Sequence, residues 1–255
     1  MADQPQPLQD LIAMSRELGL PEHDLAIFGE GNTSAKADDG AHFWVKASGS
    51  TLKGIEASGF AYMDHPGTVA LLDETLGSDE AILAALLSMR VDGGTRYPSV
   101  EAMMHAFLLT LPGINFIGHT HPTSLNALLC STRAEELVNV RLCPEQIVCC
   151  GPKPVYIPYA DPGLELARLV RARVQAWIDA EGMLPRAILM QNHGLFALGG
   201  TPREVVSCSL MWQKMARIIL GAMTCGGVNA LTQAQVDRIF TRPDEKLREK
   251  LIAQK

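Results

Sequence analysis

The sequence predicts an α/β protein built as one domain, and three observations carry that expectation. Segments with apolar residues at helical spacing alternate with short apolar runs of strand type along the whole chain. Hydrophobic residues make up 47% of the 255 positions, enough for a sizeable core. Aromatics are only 5%, so that core must rest on Leu, Ala, Val, Ile and Met. No internal repeat, low-complexity tract or linker divides the chain, so residues 1–255 read as a single unit with peripheral helices at about 231–254.

Residues 7–20 place Leu8, Leu11, Ile12 and Leu18 at helical spacing and stop at Gly19 and Pro21, an amphipathic opening helix. Residues 25–28 read as a short strand running into Gly29-Glu30-Gly31-Asn32-Thr33-Ser34. This glycine loop is not a dinucleotide fingerprint, because Ser34 stands where the third glycine is needed. It can offer backbone N–H groups to an anion, and it equally suits a plain hairpin turn. Residues 43–46 form a strand followed by Ala47-Ser48-Gly49-Ser50-Thr51, where Lys46, Ser48 and Gly49 suit a phosphate as well as a solvated turn. Residues 60–63 complete a small antiparallel sheet.

A helix is expected over residues 79–90. Pro98-Ser99-Val100-Glu101 opens the next one with Ser99 as its cap, and Met103, Met104, Phe107 and Leu108 pack its body until Pro112-Gly113. Glu101 suits a first helical turn because an acid opposes the macrodipole. It equally suits a general base, or a metal ligand, facing the following strand. His105, one turn on, reads as a hydrogen-bonded structural histidine.

The apolar run at 114–117 leads into Gly118-His119-Thr120-His121-Pro122. In a strand, positions 119 and 121 point to the same side, so both imidazoles can reach one cation before Pro122 ends the strand. The same pair also suits a hydrogen-bonded strand end, and a catalytic zinc asks for three protein ligands. Asn192-His193-Gly194, in a tight break between strands at 187–190 and 195–198, is the candidate for the third. Between these motifs the patterns predict helices at 123–130 and 134–138 and strands at 145–150 and 154–158. A long helix then opens at Asp161-Pro162 and ends at Gly182. Thr201-Pro202-Arg203-Glu204 is a capping box for a helix reaching about Cys225, and residues 231–240 and 243–254 form two polar helices.

The formal net charge is −6 with no basic block, which argues against nucleic acid or an anionic membrane as partner. Residues 1–5 carry no positive region or apolar run of a secretory signal, and the strongly apolar run at 81–87 is too short for a bilayer. Six cysteines without a Cys-x-x-Cys pair read as buried thiols in a reducing compartment, so the expected location is cytoplasmic.

Five motifs stand in order: Gly31-Asn32-Thr33-Ser34, Lys46-Ala47-Ser48-Gly49, Pro98-Ser99-Val100-Glu101, His119-Thr120-His121-Pro122 and Asn192-His193-Gly194. Together they resemble the class II aldolase/adducin family over about residues 8–225. The detail of Lys46-Ala47-Ser48-Gly49 and of His119 to Pro122 looks closest to the aldolase part of rhamnulose-phosphate aldolase/dehydrogenases, with fuculose-phosphate aldolase also similar; no dehydrogenase part is expected in 255 residues. The resemblance implies a mostly antiparallel central sheet with helices on both faces, a three-layer sandwich, assembled as a homotetramer with sites near subunit contacts. It implies Zn2+, or another divalent ion such as Mn2+ or Co2+, on His119, His121 and His193. Glu101 then supplies the catalytic carboxylate, and Gly31, Asn32, Lys46, Ser48, Gly49 and Ser99 surround a sugar phosphate.

The implied reaction cleaves a phosphorylated ketose of the rhamnulose, fuculose or deoxyketose type to dihydroxyacetone phosphate and an aldehyde. The metal polarises the carbonyl and stabilises an enediolate while Glu101 moves protons at the carbanion carbon. Two features depart from the fuculose-phosphate pattern. Val100 stands where that type has a second serine, and residues 140–145 lack the tyrosine that a neighbouring subunit donates. Epimerases and keto-acid-phosphate decarboxylases on the same scaffold are the alternatives, as is a non-catalytic adducin-like interaction module. The three retained histidines and Glu101 count against the last.

Overall fold

In the computed structural model, which describes residues 4–254, seven strands form one sheet. They are β1 (Asn32–Lys36), β2 (His42–Lys46), β3 (Phe60–Asp64), β4 (Phe116–Thr120), β5 (Val155–Ile157), β6 (Ala187–Met190) and β7 (Gly194–Gly199). Their order is β3-β2-β1-β4-β7-β6-β5, and every neighbouring pair is antiparallel except β5 with β6. Eleven α-helices accompany them among the described residues: α1 (Gln6–Leu18), α2 (His65–Ala70), α3 (Asp79–Ser88), α4 (Ala102–Leu109), α5 (Thr123–Leu129), α6 (Ala134–Asn139), α7 (Pro144–Cys150), α8 (Leu164–Glu181), α9 (Pro202–Thr224), α10 (Gln233–Thr241) and α11 (Pro243–Gln254). The expected mostly antiparallel α/β architecture is therefore what the chain adopts.

Strand alternation explains the layering. Phe43, Val45, Ile188, Met190, Phe196 and Leu198 point to one face of the sheet, where Met103 and Leu108 of α4 and Val170 and Val174 of α8 close the core. Trp44, Ala187, Leu189, Leu195 and Ala197, the residues between them, point to the other. There Leu11 and Leu18 of α1, Leu125 and Leu129 of α5, and Trp212 and Ile219 of α9 form a second core.

Several expectations need correction. Residues 25–28 form no strand; Phe28 has a left-handed backbone, φ 52, inside a loop. The strand is β1, placed where the sequence reads as a polar turn. Its polar residues are buried because each finds a partner: Thr33 Oγ1 lies 2.6 Å from Ser15 Oγ, and Ser34 Oγ lies 2.7 Å from His105 Nδ1. Residues 145–150 are helical (α7), with Pro144 at its first turn, because a short apolar run does not by itself separate strand from buried helix. The long helix α8 starts at Leu164 after Gly163, φ 123, and not at Asp161-Pro162. Helix α4 starts at Ala102 with Glu101 as its N-cap residue, so Ser99 is not the cap; its hydroxyl accepts the Glu101 N–H at 3.3 Å one step earlier. Helix α2 had no sequence expectation. Cys130 and Cys225 are exposed, not buried, while Cys150 and Cys208 are buried as expected.

The capping box at Thr201 and Glu204 is formed, and Gly182 in a left-handed conformation ends α8. Among the described residues no helix is long and apolar enough to cross a membrane.

Candidate active site

Strand β4 carries His119 to the end of the sheet, and His121 follows just beyond it, its N–H donated to the Leu25 carbonyl at 2.8 Å. Strands β6 and β7 are joined by Gln191, Asn192 and His193, with Asn192 in a left-handed conformation, φ 54, that asparagine tolerates. Asn126 Nδ2 of α5 donates to the His193 carbonyl at 2.9 Å and holds this turn against the body of the protein. Because β4 pairs with β7, Thr120 opposite Leu195, the turn arrives beside the two strand histidines. Gly194 makes the approach possible. A Cβ there would lie 2.5 Å from the Thr120 carbonyl oxygen and 2.9 Å from His121 Cδ2.

One nitrogen from each of His119, His121 and His193 lies within 4.8 Å of the others. His119 Nδ1 is 3.0 Å from the Leu195 carbonyl, which only accepts, so the proton sits on Nδ1 and the Nε2 lone pair faces inward. That Nε2 lies 2.9 Å from His121 Nε2. Glu30 Oε2 sits 3.5 Å from His121 Nδ1 on the ring's other side. Burial lowers the pKa of His119 against the opposing pull of Glu101, and that of His121 against the opposing pull of Glu30 and Glu101.

The Glu101 carboxylate is 5% exposed and closes the cluster. Its Oε2 accepts Asn32 Nδ2 at 2.6 Å and lies 3.3 Å from His119 Nε2; its Oε1 lies 3.2 Å from His193 Nε2. No aligned hydrogen bond reaches Oε1 among the described residues. Burial alone would raise this carboxyl's pKa, but His119, His193 and the Asn32 amide outweigh it, so the group is held below the usual range. Three converging imidazoles, His119 with its Nε2 lone pair turned inward, beside a buried carboxylate are a donor set that fits a divalent cation of the zinc type, whose tetrahedral ligand nitrogens stand about 3.3 Å apart.

These groups form one wall of a pocket of about 290 Å³, and all ten sequence-predicted site residues line it. Gly31, with φ 70, lets the chain pass against β4, since a Cβ there would sit 2.7 Å from the His119 carbonyl. Lys46, 4% exposed, donates to the Gly29 carbonyl at 2.9 Å; burial lowers its pKa and Glu101 opposes that shift. Ser48 Oγ donates to the Pro98 carbonyl at 3.2 Å, and Ser99 N–H donates to the Lys46 carbonyl at 3.1 Å, so the two hydroxyl-bearing loops are stitched together beside Gly49. Ser99 Oγ accepts the second Asn32 amide hydrogen at 3.0 Å.

Sequence reasoning missed Glu30, whose Oε1 also accepts the Ile27 N–H at 2.6 Å, and the pocket wall at Pro162. The available signal for Glu30 was its place between the two glycines of a loop already singled out. Tyr156 and Tyr159, the tyrosines next along the chain after the 140–145 stretch, do not line the pocket. A cavity of about 330 Å³ opens at the opposite end of the sheet, around Gly113, Arg186 and Gly199, without any such ligand group.

Residues 9–220 match the family model described as Class II Aldolase and Adducin N-terminal domain. The chain belongs to this family. It is 27% identical over 207 residues, 78% of its length, to a Bacillus subtilis (strain 168) protein described as "Uncharacterized oxidoreductase YuxG", and it spans only 27% of that protein. Among solved structures, an L-fuculose 1-phosphate aldolase superposes with a TM-score of 0.69 at 20% identity, covering 96% of this chain and 98% of its own. YgbL from Klebsiella pneumoniae, described as a candidate aldolase/epimerase/decarboxylase, gives 0.68 at 20% identity, covering 93% and 100%. At these identities the superpositions establish the class II aldolase fold.

Proposed function

We propose that this family member is a divalent-metal-dependent lyase that cleaves a phosphorylated ketose to dihydroxyacetone phosphate and an aldehyde. The observation that carries the reading is the convergence of three imidazole nitrogens within 4.8 Å, with the buried Glu101 carboxylate 3.2 and 3.3 Å from two of them. His119, His121 and His193 would hold the ion, zinc or another divalent metal. Such an ion supplies Lewis-acid polarisation of the ketose carbonyl and stabilises the charge left when the carbon–carbon bond breaks.

The rest is the work of this chain's own groups. Glu101 stands where it can deliver a proton to the carbon that becomes the carbanion, or remove it in the condensation direction. Asn32 holds that carboxylate by one oxygen. Lys46, Ser48, Gly49 and Ser99 line the same pocket and offer a cation, hydroxyls and backbone to the phosphate. The substrate proposed is a small sugar phosphate, and the proposed assembly, as the family resemblance implies, is a cytoplasmic homo-oligomer.

A second reading keeps the site and changes the outcome. Val100 is 40% exposed on the pocket wall, where the fuculose-phosphate type has a serine, which removes one hydroxyl from the phosphate cradle. An epimerase or a keto-acid-phosphate decarboxylase on this scaffold would tolerate that change. Product analysis separates the three, since only the lyase releases an aldehyde and only the decarboxylase releases carbon dioxide.

Elemental mass spectrometry of the purified protein and of His193→Ala tests the core of the reading. About one divalent metal per chain, lost in the variant, supports it. Absence of metal even after supplementation overturns it in favour of an interaction module. Glu101→Gln is expected to keep the metal and lose turnover; near wild-type cleavage by that variant would take the base role away from Glu101.

A further inference from the structure

We propose that His105 is a positioning residue: it fixes the side-chain amide of Asn32 in the one orientation that grips the Glu101 carboxylate. Only the kinetic consequence rests on the lyase reading; the hydrogen-bond assignment does not.

Two periodicities assemble the device. Asn32 and Ser34 are two apart in β1 and so share a face of the sheet, while Glu101 and His105 are four apart at the start of α4 and share a face of the helix. Where β1 and α4 meet, the four side chains form a closed chain. His105, 0% exposed, sets Nδ1 2.7 Å from Ser34 Oγ and Nε2 against Asn32 Oδ1. Asn32 Nδ2 then reaches Glu101 Oε2 at 2.6 Å and Ser99 Oγ at 3.0 Å.

The protons can be placed by what each atom is able to do. An amide oxygen only accepts, so His105 Nε2 carries the hydrogen and its Nδ1 lone pair accepts from the Ser34 hydroxyl. Both amide hydrogens of Asn32 are then committed to Glu101 and Ser99. Turning the amide over would set its oxygen 2.6 Å from a carboxylate oxygen, acceptor against acceptor. It would also leave the His105 N–H facing an NH2 group. The buried ring, packed at 5.1 Å from Phe196 and held neutral by burial with its pKa lowered to about 4, has no solvent to soften either mismatch. A satisfied core histidine that merely filled space would be indifferent to which nitrogen donates. Here the choice of tautomer decides whether the active-site carboxylate meets a donor or an acceptor.

The test compares His105→Gln with His105→Leu and adds neutron diffraction on wild-type crystals. Glutamine can place an amide N–H where Nε2 stands; leucine cannot. For His105→Leu the expected result is a kcat lower by about tenfold to a hundredfold, KM within about twofold and metal content unchanged, as for loss of one hydrogen bond to a charged group. His105→Gln is expected to recover most of that loss. A kcat within about twofold of wild type in His105→Leu, or equal impairment of both variants, overturns the proposal. The neutron map is independent of turnover and of whether the leucine variant folds. It is expected to show a deuteron on His105 Nε2, none on Nδ1, and the Asn32 amide deuterons directed at Glu101 and Ser99. A deuteron on Nδ1, or a reversed amide, refutes the assignment. A wild-type protein without lyase activity would sink the functional reading and leave this assignment to be decided by the map.

Discussion

Gly194→Ala probes the three-histidine cluster without removing an imidazole. The added Cβ would lie 2.5 Å from the Thr120 carbonyl oxygen, 2.9 Å from His121 Cδ2 and 3.3 Å from His119 Cε1. Ordinary contact is about 3.5 Å, so the carbonyl or the chain at 194 must give way by about 1 Å. Neither can do so freely, because Thr120 pairs with Leu195 and Gly194 pairs with Met190. The displacement therefore passes into His121 and His193, at a site that tolerates about 0.5 Å. Overpacking of this kind costs about 1–3 kcal/mol, and a misplaced ligand shell lowers metal affinity by about tenfold to a hundredfold. A hundredfold loss removes up to about 2.7 kcal/mol of metal-linked stability. The assay is a metal titration against a chromophoric chelator, with thermal melts before and after chelation. Wild type should lose Tm on chelation, and the variant should lose much less. Gly221→Ala, where nothing lies within 4 Å of the added Cβ, serves as the control. Gly194→Ala binding metal within about threefold of wild type would refute the steric argument, and with it the idea that the turn's approach builds the site.

Two further outcomes follow from parts of the structure outside the three-histidine cluster. Thr201→Ala removes the hydroxyl that accepts the Glu204 N–H at 3.3 Å and should cost about 1 kcal/mol, read as a lower urea midpoint at unchanged m-value. Acid should destabilise the fold through His105. Its pKa is lowered to about 4 by burial, against about 6.5 in an unfolded chain, so between those values the unfolded state binds a proton that the folded state does not. Stability therefore rises with pH across that window, and falls by up to about 3 kcal/mol as pH drops from 6.5 to 4. His65, also lowered by burial, acts in the same direction. Unfolding free energies at pH 4.5, 5.5 and 6.5 should show a shallower slope for His105→Gln; an unchanged slope would mean the ring is not buried in its neutral form.

The parts of this fold legible in the sequence are those in which apolar residues do the packing. Alternation places Phe43, Val45 and Trp44 on opposite faces of β2, and the helical stripe of α9 is bounded by its capping box. Strand β1 was not legible because Asn32, Thr33 and Ser34 are buried polar residues, and only tertiary partners such as Ser15 and His105 show why they are tolerated there. Helix α7 differs from the strand expected there because a run of six residues with apolar positions on both parities satisfies either period. In the site, the His-x-His spacing and the His193 turn could be read directly, since strand geometry and a left-handed asparagine are local properties. Glu30 could not, because its reach to His121 depends on a loop whose path is set by Gly31 passing beneath the His119 carbonyl.

Charge in the pocket links the candidate metal to the candidate substrate. Counting formal charges at pH 7 with histidine taken as neutral, Glu101 and Glu30 in the pocket each contribute one negative and Lys46 one positive, a sum of −1. A phosphate monoester carries about −1.5 to −2 near that pH, so the protein groups alone would repel it. One divalent cation among the histidines brings the sum to +1, and the same pocket then attracts the anion. In low-dielectric surroundings this reversal of sign outweighs any single hydroxyl contact. If the proposed phosphate and ion bind here, valine at position 100 is a modest change in the cradle compared with loss of the ion. The histidine cluster and the hydroxyl loops are on this view one binding device: β1, β4 and β7 lie side by side, so that Asn32 faces His119 and the Gly194 turn meets both strand histidines.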